Sequence, residues 1–260
     1  ARIATRVSGG GYNDCNTEMG ETFSHGRFLY GMIDYYQHRL NTLSEMDILR
    51  LKSQIDRCFN YCMQLWLESG EIGHSIPTRF QADANLGIHN TYWALMGMLY
   101  FIQVFPNDHK SSKENINKLI LTAKYIENEK QKQENPDIYL HSKDSPSGLM
   151  VPVYYHLYKI TNDSKFKELA TYALKVQCEG FDIFKHVAFM SYITHGLMQM
   201  INEFKDHEDI PLWLEFTKKL QGYFALIRDN NAFHIMPSVW EDYAKEEWAD
   251  MTKPIHVPGE

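Results

Sequence analysis

Asp14 and Glu18 follow a run of three glycines, Gly9-Gly10-Gly11, in a short polar stretch that leads into Phe23-Ser24-His25 and a long apolar segment. Glycine accepts positive φ and lets the backbone turn sharply, so carboxylates placed just after it can project from the mouth of a loop. Two such carboxylates a few residues apart can hold a water molecule, one as general base and the other orienting it. A purely structural reading competes: Asp14 or Thr17 caps the helix that follows. Tyr12 and His25 flank the acids and are assigned, with them, to the substrate.

Three further groupings carry polar or aromatic side chains that can meet a ligand. His89-Asn90-Thr91-Tyr92-Trp93 stands at the mouth of the third predicted helix, where its rings and amide can line the same cleft. Asn90 serves equally as a helix cap, and Tyr92 and Trp93 equally as core. Asp144 lies in the loop 141–148 with His141 and Ser145; it reads as a substrate contact or as the cap of a helix begun by Pro146. Tyr192 and His195 sit about one helical turn apart and form a candidate proton-transfer pair on a cleft wall.

The elements that must position these residues are helices. Phe28, Leu29, Met32, Ile33 and Tyr36 recur at helical spacing within 21–39, and Ile48, Leu51, Ile55, Phe59, Cys62 and Trp66 within 44–68, where Ser44 caps and Gly70 ends the run. Further helices are predicted over 90–105, stopped by Pro106, and over 112–129, 149–160, 164–178, 185–204, 211–228 and 239–249. No segment alternates as a half-buried strand does. Short joints such as Thr161-Asn162-Asp163 alternate with long ones at 69–88 and 131–148, the pattern of antiparallel hairpins whose long loops gather at one end. The expected fold is therefore all-α, with antiparallel helical hairpins forming an α/α toroid or part of one, in a single domain over 1–260. A closed six-hairpin ring needs more chain than 260 residues supply, so a partial ring, a smaller solenoid or a piece of a longer catalytic domain is expected.

Composition narrows the partners. The net charge of -7 has no sustained basic run, which argues against nucleic acid. No stretch of eighteen apolar residues marks a membrane span, and no apolar signal core opens the chain. Cys15, Cys58, Cys62 and Cys178 show neither metal spacing nor a disulfide framework. Twelve histidines give no His-x-x-x-His pair, and phosphate-cradling glycine loops and a Gly-x-Ser-x-Gly elbow are missing; no metal or other cofactor is expected. Aromatics at 13% leave rings to spare for stacking on sugars. The oligomeric state is left open.

At Gly10-Gly11-Tyr12-Asn13-Asp14 the chain resembles family 9 glycoside hydrolases, whose catalytic domains carry a Gly-Gly-aromatic-x-Asp loop with a second acid shortly after. Ser69-Gly70-Glu71-Ile72-Gly73 is similar to that family's turn after its second helix, and 157–166 looks like its recurrent hairpin. The resemblance implies an α/α toroid that inverts a β-linked glycan, with Asp14 as the first aspartate of the water-activating pair. Thr17 stands at the usual second position, so Glu18 takes that role by the longer spacing some members resemble. The family's late Asn-Glu acid has no counterpart, since Glu241, Glu246 and Glu247 fall in a helical charge cluster that reads as a solvated face. The substrate is then a carbohydrate, and the location secreted or periplasmic. Segment 83–93 also looks like the Asn-His-x-Tyr-Trp of toroidal polysaccharide lyases with His and Asn exchanged, which implies β-elimination of a uronate polymer through His89, Asn90 and Tyr192 or His195. A glycan-binding helical module without catalysis is the third expectation.

Overall fold

The computed structural model describes residues 5–6, 12–13, 22–73, 84–132, 150–180 and 190–229. Two short strands, β1 (Thr5–Arg6) and β2 (Tyr12–Asn13), pair antiparallel, with Thr5 opposite Asn13 and Arg6 opposite Tyr12. Eight α-helices follow among the described residues: α1 (Thr22–Arg39), α2 (Glu45–Gln64), α3 (Ala84–Val104), α4 (Lys113–Lys132), α5 (Met150–Thr161), α6 (Ser164–Gly180), α7 (Met190–Glu203) and α8 (Ile210–Asp229). The all-α expectation holds. The helix expected over 239–249 lies outside the described residues.

The described residues group into two compact units, Ala1–Lys132 with His156–Asp163, and Gln133–Tyr155 with Ser164–Glu260. In the first unit the contacts give each helix a direction. Tyr30 stacks on Tyr100 and Tyr36 packs against Phe105, so α1 and α3 run the same way. His25 stacks on Tyr61, while Phe59 meets Phe101 and Lys52 lies over Phe105, so α2 runs against both. Asp56 of α2 reaches Lys110, just before α4, and the Trp66 indole, just after α2, reaches Thr122 of α4. Two successive hairpins thus stack through α1 and α3, which run side by side.

Glycine makes the first of these contacts close. A Cβ on Gly26 would lie 2.1 Å from the carbonyl oxygen of Trp93, and one on Gly97 would lie 2.7 Å from the carbonyl oxygen of Gly26. Only bare backbone on both helices permits that approach. Around it Leu29, Ile33, Leu95, Met98, Leu99 and Phe101 are buried.

Helix α2 begins where the sequence places it. The Ser44 hydroxyl accepts from the Asp47 amide at 3.2 Å and donates to the Asp47 carboxylate at 2.6 Å, satisfying one of the unpaired first-turn amides. Its end comes four residues before the expected Glu68, at Gln64. The chain then doubles back: the Leu67 amide donates to Glu71 O, the Gly73 amide donates to Leu65 O, and Trp66 bridges Ile72. This early stop has a tertiary cause, because the Trp66 indole N–H donates to Thr122 Oγ1 on α4 at 3.1 Å. Gly70 makes the turn at φ +93, with the Leu121 carbonyl oxygen only 2.8 Å from where a Cβ would stand.

In the second unit α8 packs on both α6 and α7. Trp213, Phe216 and Leu220 form its buried stripe, and Gly196 of α7 lets Pro152 approach.

Candidate functional site

Among the described site residues, His25 falls in the first turns of α1, and His89, Asn90, Tyr92 and Trp93 fall in the first half of α3. Strand β2, which immediately precedes Asp14 in the chain, contacts α1. Asp14, Glu18 and Asp144 lie outside the described residues. Tyr12 is described only as backbone of β2; His89 and Asn90 fall within α3 and Tyr192 within α7, likewise as backbone.

Of the side chains that are described, His25 is fully buried and stacks on Tyr61 with ring centroids 4.2 Å apart. A ring so placed belongs to the α1–α2 contact and cannot border a solvent-filled cleft. Tyr92 is buried as well, its ring edge-on to Trp93 at 5.5 Å and 79°. Trp93 is half-buried, and the guanidinium carbon of the exposed Arg27 lies 4.7 Å from its ring centroid. His195 is exposed on α7, in the second unit.

Arg27 is the residue that sequence reasoning missed. No motif contains it, and the one signal was its neighbour Gly26, whose missing side chain allows α1 to lie against the Trp93 backbone. A cation over an indole face is favoured by the ring quadrupole and gains where one side is shielded from water. Thr91 steadies the same turn of α3 from beneath: its buried hydroxyl donates to Ile72 O and accepts from the Ile72 amide, both at 3.2 Å. Next to that tie, Tyr125 hydrogen-bonds Glu71. Burial, then the Glu71 and Glu129 carboxylates, push its phenol above the usual tyrosine range, so it donates and does not act as a base.

A second polar cluster runs from the exposed Asp34 and Gln37 inward to the buried His156. The Tyr100 hydroxyl is 2.6 Å from Gln37 Oε1 and 3.4 Å from Asp34 Oδ1. His156, fully buried, sets Nδ1 2.6 Å from Gln103 Oε1. Because an amide oxygen can only accept, that Nδ1 bears the hydrogen. The rings of Tyr30 and Tyr100 pack at 6.0 and 5.5 Å from the imidazole. The cluster binds α1, α3 and the second half of α5 into one body.

Cysteine offers no nucleophile among the described residues. Burial pushes Cys58 and Cys178 up to about 12 and Cys62 well above the ordinary thiol value, so none carries thiolate near neutral pH. No group of three or more described His, Cys, Asp or Glu side chains is arranged to hold a metal ion. No described helix is long and apolar enough to cross a membrane. The second unit has an open cleft of ≈ 510 Å³ between Lys167 and the α7–α8 connection. Lys167 lies over Phe204 there, and His207 stacks on the buried Trp213. Lysines, acids and histidine of mixed sign surround it, a lining that selects no ligand charge.

The fold and this rim together define an all-α protein with a cation-bearing aromatic face at the start of its first hairpin. Comparison with protein-family models, curated proteins and solved structures gave no match to this chain.

Proposed function

We propose that this protein hydrolyses a β-linked glycan at the face formed by the start of α1, the first half of α3 and the acidic segment that follows β2. The observation that carries the reading is the Arg27–Trp93 pair, an aromatic ring and a cation held at the surface beside α1, which β2 contacts just before Asp14. Sugars present apolar C–H faces and polar edges, and an indole with a charged donor above it meets both. The packing of α1 beside α3, with α2 antiparallel to both, is the packing that an α/α ring repeats, and it supports the toroid reading.

In this mechanism the Asp14 carboxylate takes a proton from water while Glu18 orients the same molecule. The water oxygen attacks the anomeric carbon from the face opposite the leaving group, inverting it, as a carboxylic acid on the other side protonates the leaving oxygen. The same reading carries a secreted or periplasmic location.

The test is release of reducing ends from a panel of β-linked polysaccharides. Asp14→Ala and Glu18→Ala should each lower the rate by about 10²–10⁴-fold while moving Tm by no more than about 2 °C. A large loss of Tm with activity retained would instead assign both acids to helix capping. Ultraviolet-absorbing unsaturated ends would replace hydrolysis with β-elimination, and binding without turnover would leave a glycan-binding module.

A further inference from the structure

In the second unit, the connection 204–209 between α7 and α8 is built around one imidazole. The His207 amide donates to Phe204 O at 3.0 Å and the Ile210 amide donates to His207 O at 3.1 Å, so the main chain is fixed on both sides of the ring. The ring itself is held by two other contacts. Its Nδ1 accepts from the Asp209 amide at 3.2 Å, which puts the ring hydrogen on Nε2. Its face lies on the indole of Trp213, with centroids 4.9 Å apart and planes 16° from parallel. The Asp209 amide stands just ahead of α8, where helical bonding leaves amides unpaired.

Only a neutral imidazole can hold that amide, because a protonated Nδ1 has no lone pair to offer. The Asp209 carboxylate is the alternative partner, with Oδ2 3.9 Å from the same nitrogen. Each of the two side chains is 20% exposed, open enough to exchange protons with water and shielded enough for neighbouring charges to count. Around the cleft that His207 lines, Lys167 comes from α6, Glu203 from α7, and Lys205, Asp206 and Glu208 from the connection. From α6 the Cys178 thiol also feels the Asp209 carboxylate, and burial, the larger cause, keeps that thiol uncharged. Trp213, the contact from α8, carries no charge. The carboxylates favour an imidazolium and the amide favours the neutral ring, and histidine is the side chain that changes charge between pH 5 and 8. We propose that His207 is a proton-operated latch on the cleft of the second unit. Neutral, it caps the Asp209 amide and covers Trp213. Protonated, it releases that amide, turns Nδ1–H to Asp209 Oδ2 and lifts from the indole, opening the cleft wall. The Trp213 indole N–H has no acceptor beneath the ring, so opening lets water reach a donor that the closed form leaves unmet. The latch is independent of the glycan reading, which concerns the first unit.

Two variants separate the capping from the titration. In His207→Asn the side-chain oxygen can accept from the amide two residues on, as an Asx-turn does, with nothing to protonate. His207→Ala has no cap at any pH. Hydrogen exchange of the full chain, followed by NMR, should show protection of the Asp209 amide falling about three- to tenfold between about pH 7.5 and about pH 5.5, as loss of one hydrogen bond gives. Protection should stay constant in His207→Asn and be low at both pH values in His207→Ala. The Trp213 indole N–H signal of the native protein should move, on acidification, toward its position in His207→Ala. Circular dichroism confirms that each variant keeps its helices. Constant protection in the native protein overturns the latch. An equal fall in His207→Asn overturns it too, since the titrating group is then another. A released amide with an unmoved indole signal overturns the opening of the cleft wall.

Discussion

Lys110 is the sharpest case of a charge placed where water is scarce. Its side chain is 8% exposed, with the ammonium 3.1 Å from Asp56 Oδ1 and 3.3 Å from Asp108 Oδ1, above the ring of Phe101. Burial alone would raise the Asp108 pKa. The Lys110 backbone N–H and ammonium outweigh it, with a smaller contribution from His109, and hold the carboxyl below its ordinary value of 3.8. A depressed carboxylate stabilises the fold above its unfolded pKa, and that stabilisation is lost as pH falls through the folded value. Asp108→Asn should therefore cost about 1–2 kcal/mol at pH 7, and the difference from the native protein should shrink toward zero well below pH 3.8. Urea unfolding at a series of pH values measures it; a difference that stays constant into acid would show that Asp108 does not act through its charge. His25 teaches the complementary lesson about reading chemistry from residue type. It precedes Leu29 by four positions and so lies on the buried stripe of α1, where helical spacing alone would have put it in the core.

Helix α1 contains two glycines with opposite roles. Gly26 is the contact with α3, and a Cβ there meets main-chain atoms of Trp93 and Ala94, which cannot swing aside as a side-chain tip can. Gly31 has no atom within 4 Å of the same position. Gly26→Ala should destabilise by about 3 kcal/mol or more, whereas Gly31→Ala should stabilise by about 0.5–1 kcal/mol through helix propensity. Denaturant midpoints of the two variants decide the matter, and similar values would mean that α1 does not depend on close approach at Gly26. Most helices were legible because their apolar residues recur at 3.6, and short turns such as Thr161-Asn162-Asp163 carry their own signal: Asn162 adopts φ 55 with its amide on Tyr158 O. Errors arose where distant residues decide the outcome. The end of α2 is set by Thr122 on α4, and α3 starts at Ala84, six residues before the expected Asn90, through Asn85, Gly87 and His89, which read locally as loop. The rim was half legible for the same reason. Trp93 stands out as an aromatic near a helix start, but nothing near Arg27 in sequence names its partner.

At the scale of the whole molecule, one boundary between the two units falls inside a helix. Helix α5 is shared, its residues 150–155 grouped with the second unit and His156–Thr161 with the first. The first described residue of the shared helix that belongs to the first unit is His156, and it is also the one anchored there, by Gln103 and the rings of Tyr30 and Tyr100. Removing the imidazole leaves a buried gap and takes away the donor that Gln103 Oε1 accepts from. His156→Ala should consequently lower the opening free energy of amides in α1 and α3 by about 2–4 kcal/mol in native-state hydrogen exchange. Amides of α7 and α8, which pack on each other within the second unit, should change by less than about 0.5 kcal/mol, as distant sites without shared partners do. An equal loss of protection in both sets would show that the two units open as one cooperative body, with α5 transmitting the change along its length. Confined loss would make His156 the pin of the first unit alone, and would mean that the stacked hairpins carrying the Arg27–Trp93 rim keep a stability of their own.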